Sequence, residues 1–200
     1  MPSPIEFYFD FSSPYGYLAS TRVEDVAARA GRETLWRPIL LGAVFKVSGG
    51  APLASLPLKW DYSARDIARF ARLWNVPYRQ PSRFPIATQA PARVFYRVHD
   101  RDPALAKRLA AAVYRAYFAE DRDIGSPEVT AEVAGSVGLD PAESLAAANA
   151  PEMKERLKRE TDAAIARGVF GSPYLIVDGE PFWGADRLDQ VGRWLATGGW

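Results

Sequence analysis

The sequence predicts an α/β fold in which a βαβ unit and a ββα unit close around a helical block of more than one hundred residues. Three observations carry this. Apolar strand patterning is concentrated near the two ends of the chain. Cap-plus-proline helix starts follow one another through the middle. One Ser-Pro pair ends the first apolar run, and a second immediately precedes the strand that returns near the C-terminus.

The elements can be justified in chain order. Ile5, Phe7, Phe9 and Phe11 alternate with Glu6, Tyr8 and Asp10, which is the period of a strand. Ser13 then fits an N-cap and Pro14 the first helical position. Tyr15, Leu18, Ala19, Arg22, Val23, Val26, Ala27 and Ala30 recur at helical spacing, and Gly31 ends the helix. Thr34 to Ile39 reads as a second strand, and Lys46 to Pro57, rich in Gly, Pro and Ser, reads as a loop. Ser63 and Asp66 have the spacing of a capping box ahead of an Ile67, Phe70, Ala71, Trp74 stripe. Pro91, Val94, Phe95 and Val98 make the next stripe. Asp102-Pro103, Ser126-Pro127 and Asp140-Pro141 begin further helices, and Pro151 opens one that Gly168 closes. Tyr174 to Val177 is a buried strand, Asp178-Gly179 a hairpin turn, and Glu180 to Trp183 its partner. Leu188, Val191 and Leu195 lie on a last helix. That order is the thioredoxin-like fold interrupted by a large all-helical inserted domain. Residues 1–42 and 168–200 belong to the first unit and 43–167 to the second.

Composition removes whole classes of chemistry. The 200 residues include no cysteine and one histidine, His99. A disulfide framework, a cysteine-ligated metal, a cysteine nucleophile and a multi-histidine metal site are all excluded, so no metal is expected. The net charge is +1, yet twelve basic residues stand against four acidic ones between Lys59 and Arg115. Such a basic middle suits either an anionic ligand or a solvated arginine-rich helix face, and it carries no nucleic-acid module. Arg65, Arg69 and Arg72 fall on one such face, and His99 reads as a surface residue. The N-terminus has acids at Glu6 and Asp10 and no base before Arg22, so neither a leader nor a membrane span is expected, and the location expected is cytoplasmic.

In this fold the reactive position is the turn after the first strand, where redox members hold a Cys-x-x-Cys pair at a helix N-terminus. Here that turn reads Phe11-Ser12-Ser13-Pro14-Tyr15. A serine cannot exchange disulfides, so any thiolate must arrive with a ligand. Ser13 is also an ordinary cap. The Gly171-Ser172-Pro173-Tyr174 turn faces the same helix start, where a cis proline leaves the preceding backbone free to pair with a peptide-like ligand. Asp186, at the start of the last helix, suits either a cap or the partner of an ammonium group, and Trp183 suits core or pocket wall.

The segments Phe9-Asp10-Phe11-Ser12-Ser13-Pro14-Tyr15 and Trp183-Gly184-Ala185-Asp186-Arg187-Leu188 resemble the terminal motifs of the 2-hydroxychromene-2-carboxylate isomerase family. Val169 to Pro173, Lys59 to Tyr62 and Arg83-Phe84-Pro85 resemble its other landmarks, so the similarity runs nearly end to end. That family is related to kappa-class glutathione transferases and to periplasmic disulfide oxidoreductases. The resemblance implies a glutathione-dependent isomerase converting 2-hydroxychromene-2-carboxylate-type compounds to the trans-o-hydroxybenzylidenepyruvate type. It implies that Ser13 hydrogen-bonds the glutathione sulfur and that Ser172 and Pro173 meet the cysteinyl backbone. Trp183, Gly184, Ala185 and Asp186 would hold the γ-glutamyl end, with Lys59 and Tyr62 near glutathione or an aromatic carboxylate substrate. A homodimer is likewise implied. Gly16 stands where many members carry a second serine, and Ala185 where asparagine is common. Gly50 and Ala87 also replace frequent asparagines, removing polar groups from the substrate side of the pocket. A kappa-like glutathione transferase and a non-catalytic peptide-binding protein are the competing functions.

Overall fold

A computed structural model describes residues 3–200. Met1 and Pro2, the first residues of the N-terminus read above as leaderless, lie outside the described residues. The sheet is built from β1 (Ile5–Phe9), β2 (Thr34–Pro38), β3 (Tyr174–Val177) and β4 (Glu180–Trp183) in the order β2-β1-β3-β4. β1 runs parallel to β2 and antiparallel to β3, which pairs antiparallel with β4. This is the thioredoxin-like arrangement expected from the two ends of the chain. Asp178 and Gly179 both have positive φ, the geometry a two-residue hairpin turn demands.

Alternation along β1 sends its residues to two different cores. Ile5, Phe7 and Phe9 are fully buried on one face, where Phe9 meets Trp36, Phe95 and Tyr114 edge-on or tilted. Tyr8 faces the other way, into a smaller cluster with Ile39, Val44, Ala164 and Ile176. The helices that cover these faces are α1 (Pro14–Ser20), α2 (Val23–Arg29), α3 (Leu41–Ser48), α4 (Lys59–Leu73) and α5 (Gln89–His99). They continue with α6 (Pro103–Phe118), α7 (Pro127–Ser136), α8 (Pro141–Asn149), α9 (Pro151–Ala166) and α10 (Leu188–Thr197). The side chains of Asp102, Ser126 and Asp140 cap α6, α7 and α8, each followed by proline at the helix start.

The structure corrects five expectations. The single helix expected up to Gly31 is two, because Ser20 and Thr21 turn their hydroxyls onto the Tyr17 and Leu18 carbonyls and compete with the helical ladder. The loop expected from Lys46 begins three residues late, at Gly49, since α3 runs to Ser48, and a 3-10 turn forms at Leu53–Ser55. The boundary drawn between 42 and 43 therefore falls inside α3. Ser63 does not start α4; the helix begins at Lys59 and leaves Ser63 buried within it. His99 is no simple surface residue either. Its side chain is partly buried and its ring stacks on Phe95 at 5.6 Å, and burial pushes its pKa down.

Candidate active site

The turn after β1 is organised by Asp10, whose carboxylate is almost wholly enclosed. Leu41 N–H donates to it at 2.7 Å, Ser12 N–H and Oγ at 2.8 Å each, and Thr88 Oγ1 at 3.0 Å. Burial pushes the carboxyl above its usual range, and these four donors oppose that shift. The Asp10 backbone makes the remaining links. Its N–H donates to Ser172 Oγ at 2.9 Å, and its carbonyl accepts from Tyr114 Oη at 2.9 Å and from Ser13 N–H at 2.8 Å. One residue thus ties β1 to α3, α5, α6 and the Ser172 loop.

Ser13 is the α1 N-cap, accepting the Gly16 N–H at 3.0 Å. Its own hydroxyl proton is donated to the Ser172 carbonyl at 2.8 Å. The Ser172–Pro173 peptide is cis, and the Ser172 N–H meets no acceptor among the described residues. Gly16 has no room for a side chain: a Cβ there would lie 2.6 Å from Tyr114 Oη and 2.9 Å from Ser172 Oγ. The same holds at Gly171, where a Cβ would fall 2.3 Å from Trp183 Nε1, so the indole lies directly on the backbone of the Ser172 loop. Gly184, at φ +117°, turns the chain into the 3-10 segment Ala185–Arg187. Asp186 does not cap α10; its carboxylate pairs with Arg187 at 2.9 Å.

These groups open on one cavity of about 1390 Å³. Ser13, Ser172, Pro173, Trp183, Gly184, Ala185, Asp186 and Tyr62 all line it, as do Gly50 and Ala87. Lys59 does not: it is exposed at the start of α4, outside the lining. None of the arginines between Lys59 and Arg115 reaches the cavity, whose cationic lining consists of Lys46 and Arg187. The basic middle is therefore outer surface and ion pairs, Arg69 with Asp66 and Arg83 with Asp123 among them. The sequence reading missed Asp10, Thr88, Tyr114, Tyr15 and Arg187 as site residues. Asp10 had a visible signal, an acid held between Phe9 and Phe11 where a strand enters the core. Thr88 and Tyr114 had none, because only the tertiary fold brings them there. Among the described residues, no three or more His, Cys, Asp or Glu side chains gather into a metal-binding group.

Fold and site define a thioredoxin-fold protein with a capping hydroxyl, that of Ser13, at the start of the helix that follows β1. Residues 4–196 match the model of the DSBA-like thioredoxin domain. The chain is 30% identical over 197 residues to a 2-hydroxychromene-2-carboxylate isomerase of Sphingobium xenophagum, covering 98% of this chain and 99% of that protein. It is 27% identical to a kappa 2 glutathione S-transferase of Caenorhabditis elegans, covering 96% and 91%. A solved 2-hydroxychromene-2-carboxylate isomerase superposes with a TM-score of 0.87 at 29% identity, over 96% of this chain and 94% of that one. The chain belongs to the DsbA-like thioredoxin-domain family, in the group that contains the 2-hydroxychromene-2-carboxylate isomerases.

Proposed function

We propose that this protein is a glutathione-dependent cis–trans isomerase of conjugated aromatic α-keto acids, of the 2-hydroxychromene-2-carboxylate type. The observation that carries the reading is the Ser13 hydroxyl, at the cavity wall 2.8 Å from the Ser172 carbonyl and beside an unpaired Ser172 N–H. That pairing suits a peptide-like ligand laid along Ser172 in strand fashion, taking both main-chain groups at once. Ser13 would then release the carbonyl and turn its O–H toward a sulfur.

The donor set fits glutathione at its other end too. Asp186 and Arg187, already paired with each other, are one anion and one cation on the same rim, complementary to an α-ammonium and an α-carboxylate. Bound glutathione would supply a thiolate that adds reversibly to an electron-poor carbon and leaves after rotation about the bond that addition makes single. A free thiol has a pKa of about 8.5, and lowering it by one unit takes about 1.4 kcal/mol of selective stabilisation of the anion. A hydroxyl donor supplies stabilisation of that order. Ser13 therefore stabilises the nucleophile and attacks nothing itself. The Trp183 indole lies against the Gly171 backbone of the Ser172 loop.

A second reading, kappa-type conjugation, is favoured by the similarity to kappa glutathione transferases along almost the whole chain. Stoichiometry separates the two. Isomerisation leaves total thiol constant through many turnovers, whereas conjugation of an electrophile such as 1-chloro-2,4-dinitrobenzene consumes one thiol per product. Turnover without loss of thiol is the expected result. Calorimetry with no glutathione binding to the wild type would overturn both enzymatic readings and leave peptide binding as the role.

A further inference from the structure

The single histidine lies outside the cavity, and the proposed reaction makes no use of it. His99 ends α5, its ring stacked on Phe95, and its Nδ1 is buried without a hydrogen-bond partner among the described residues. Beside it runs a chain of alternating charges that ties the end of α5 to α9 and the sheet. Asp100, the residue after α5, pairs with Arg156 of α9 at 3.3 Å, and Arg156 pairs with Glu160 one turn on at 3.1 Å. Glu160 continues to Arg37 of β2 at 3.0 Å, and Arg37 to Glu6 of β1 at 3.3 Å. Arg167, just beyond α9, closes the chain on Glu6. Three carboxylates stand against three guanidiniums, so the chain is balanced while His99 is neutral.

A proton on the ring upsets this balance at the α5 end. In the imidazolium both nitrogens are donors, so Nδ1 then needs an acceptor. The carboxylate oxygen within ion-pair reach is Asp100 Oδ1, at 3.9 Å, and Arg156 already holds that same oxygen. Either the new N–H stays buried and unpaired, or Asp100 turns toward His99 and Arg156 loses its hold on the end of α5. We propose that His99 is a pH-sensitive latch between α5 and α9, closed while the ring is neutral and released when it takes up a proton. The surroundings favour the closed state. Burial pushes the His99 pKa down, Asp100 and Glu160 oppose that, and Arg156 and Arg37 add to it. The latch bears on the cavity through α9. Thr161 Oγ1 of that helix accepts the Leu40 N–H at 3.3 Å, just ahead of α3, and the chain leaves α9 for the Ser172 loop. Both α3 and that loop line the cavity.

Two measurements test it, and neither depends on the reaction catalysed. Since the chain has one histidine, a single imidazole resonance reports the titration. Its midpoint in the folded protein should lie below that of the same residue in the urea-unfolded chain, and a folded midpoint equal or higher overturns the latch. With the folded value depressed, the unfolded chain takes the proton first. Native stability is then full above the unfolded midpoint, about 6.5, and is lost as pH falls through the folded value. Urea midpoints of the wild type should therefore drop more steeply from about pH 7.5 to about pH 5.5 than those of His99→Gln, which cannot charge. Any contribution of the buried Asp10 carboxyl is common to both and cancels in the comparison. His99→Phe, which keeps an aromatic ring for Phe95, serves as a second neutral variant. Hydrogen exchange locates the effect: at the lower pH the α9 amides of the wild type should lose protection, and those of the variants should keep it. Equal pH slopes in wild type and variants, or a loss of protection spread evenly over all helices, overturn the proposal.

Discussion

Ser13 does two jobs that a substitution can separate. As a cap it holds the Gly16 N–H, and as a donor it is engaged by the Ser172 carbonyl. Ser13→Ala should destabilise the fold by about 1 kcal/mol, the usual loss for a capping hydroxyl. Under the proposed function it should also raise the pKa of bound glutathione by about one unit, cutting turnover near neutral pH roughly tenfold. Thiolate absorbance titrated against pH reads the second effect alone, and an unshifted curve would refute the donor role. Gly16 depends on its neighbours in a different way. Tyr114 Oη, held to the Asp10 carbonyl, stands where a Gly16 side chain would go. Gly16→Ser should therefore lower stability by about 1–3 kcal/mol, and Tyr114→Phe in the same chain should recover part of that loss. Urea midpoints of the single and double variants check it. The placement of Ser13, Ser172 and Asp186 on one cavity was readable because each sits in or beside a turn that the sequence marks. Tyr114 was not, since its partner lies 104 positions away in the chain.

Among the elements, β1 is where core and surface chemistry meet. Glu6 and Tyr8, on the face opposite Phe7, join β2 and α9: Glu6 pairs with Arg37 at 3.3 Å and with Arg167, and Arg37 continues to Glu160 at 3.0 Å. Burial works against the Glu6 carboxylate, but hydrogen bonds from Arg167 and Tyr8 and the nearby guanidinium charges hold its pKa below the usual value. A carboxyl lowered by folding stabilises the native state above its unfolded pKa, and that contribution is lost as pH falls through the folded value. Glu6→Gln is thus expected to cost about 1 kcal/mol near neutral pH and almost nothing in strong acid. A stability gap that stays constant across denaturation curves from pH 7 downward would contradict it. Strands and proline-led helices were legible because each carries its own period or cap. α3 was not. Its first turn is anchored by Asp10 from another element, its only buried residue is Val44, and Gly42 and Val47 weaken its local propensity.

For the whole molecule, the split into a thioredoxin-like unit and a helical insertion describes topology more than packing. Phe7, Phe9 and Phe11 from the first unit share one continuous core with Phe95, Tyr114 and Phe118 from the second. Neither unit keeps its apolar surface covered without the other. Heat or urea should accordingly unfold the chain in one transition, with far-ultraviolet dichroism and tryptophan emission changing together. Two separated transitions would show that the units are energetically independent. The order of elements announced this topology, because strand periods cluster at the ends of the chain. The shared core was invisible, because nothing local tells which helix face will meet Phe9.

Trp183 lies across Gly171 at the mouth of the cavity, 57% exposed and edge-on to Phe170. An indole so placed is hydrated while the mouth is open and shielded once something settles on the Ser172 loop. Its emission should then move to the blue as the site fills. The protein carries its own optical gauge of occupancy, legible without a label, a coupled assay or any assumption about the reaction.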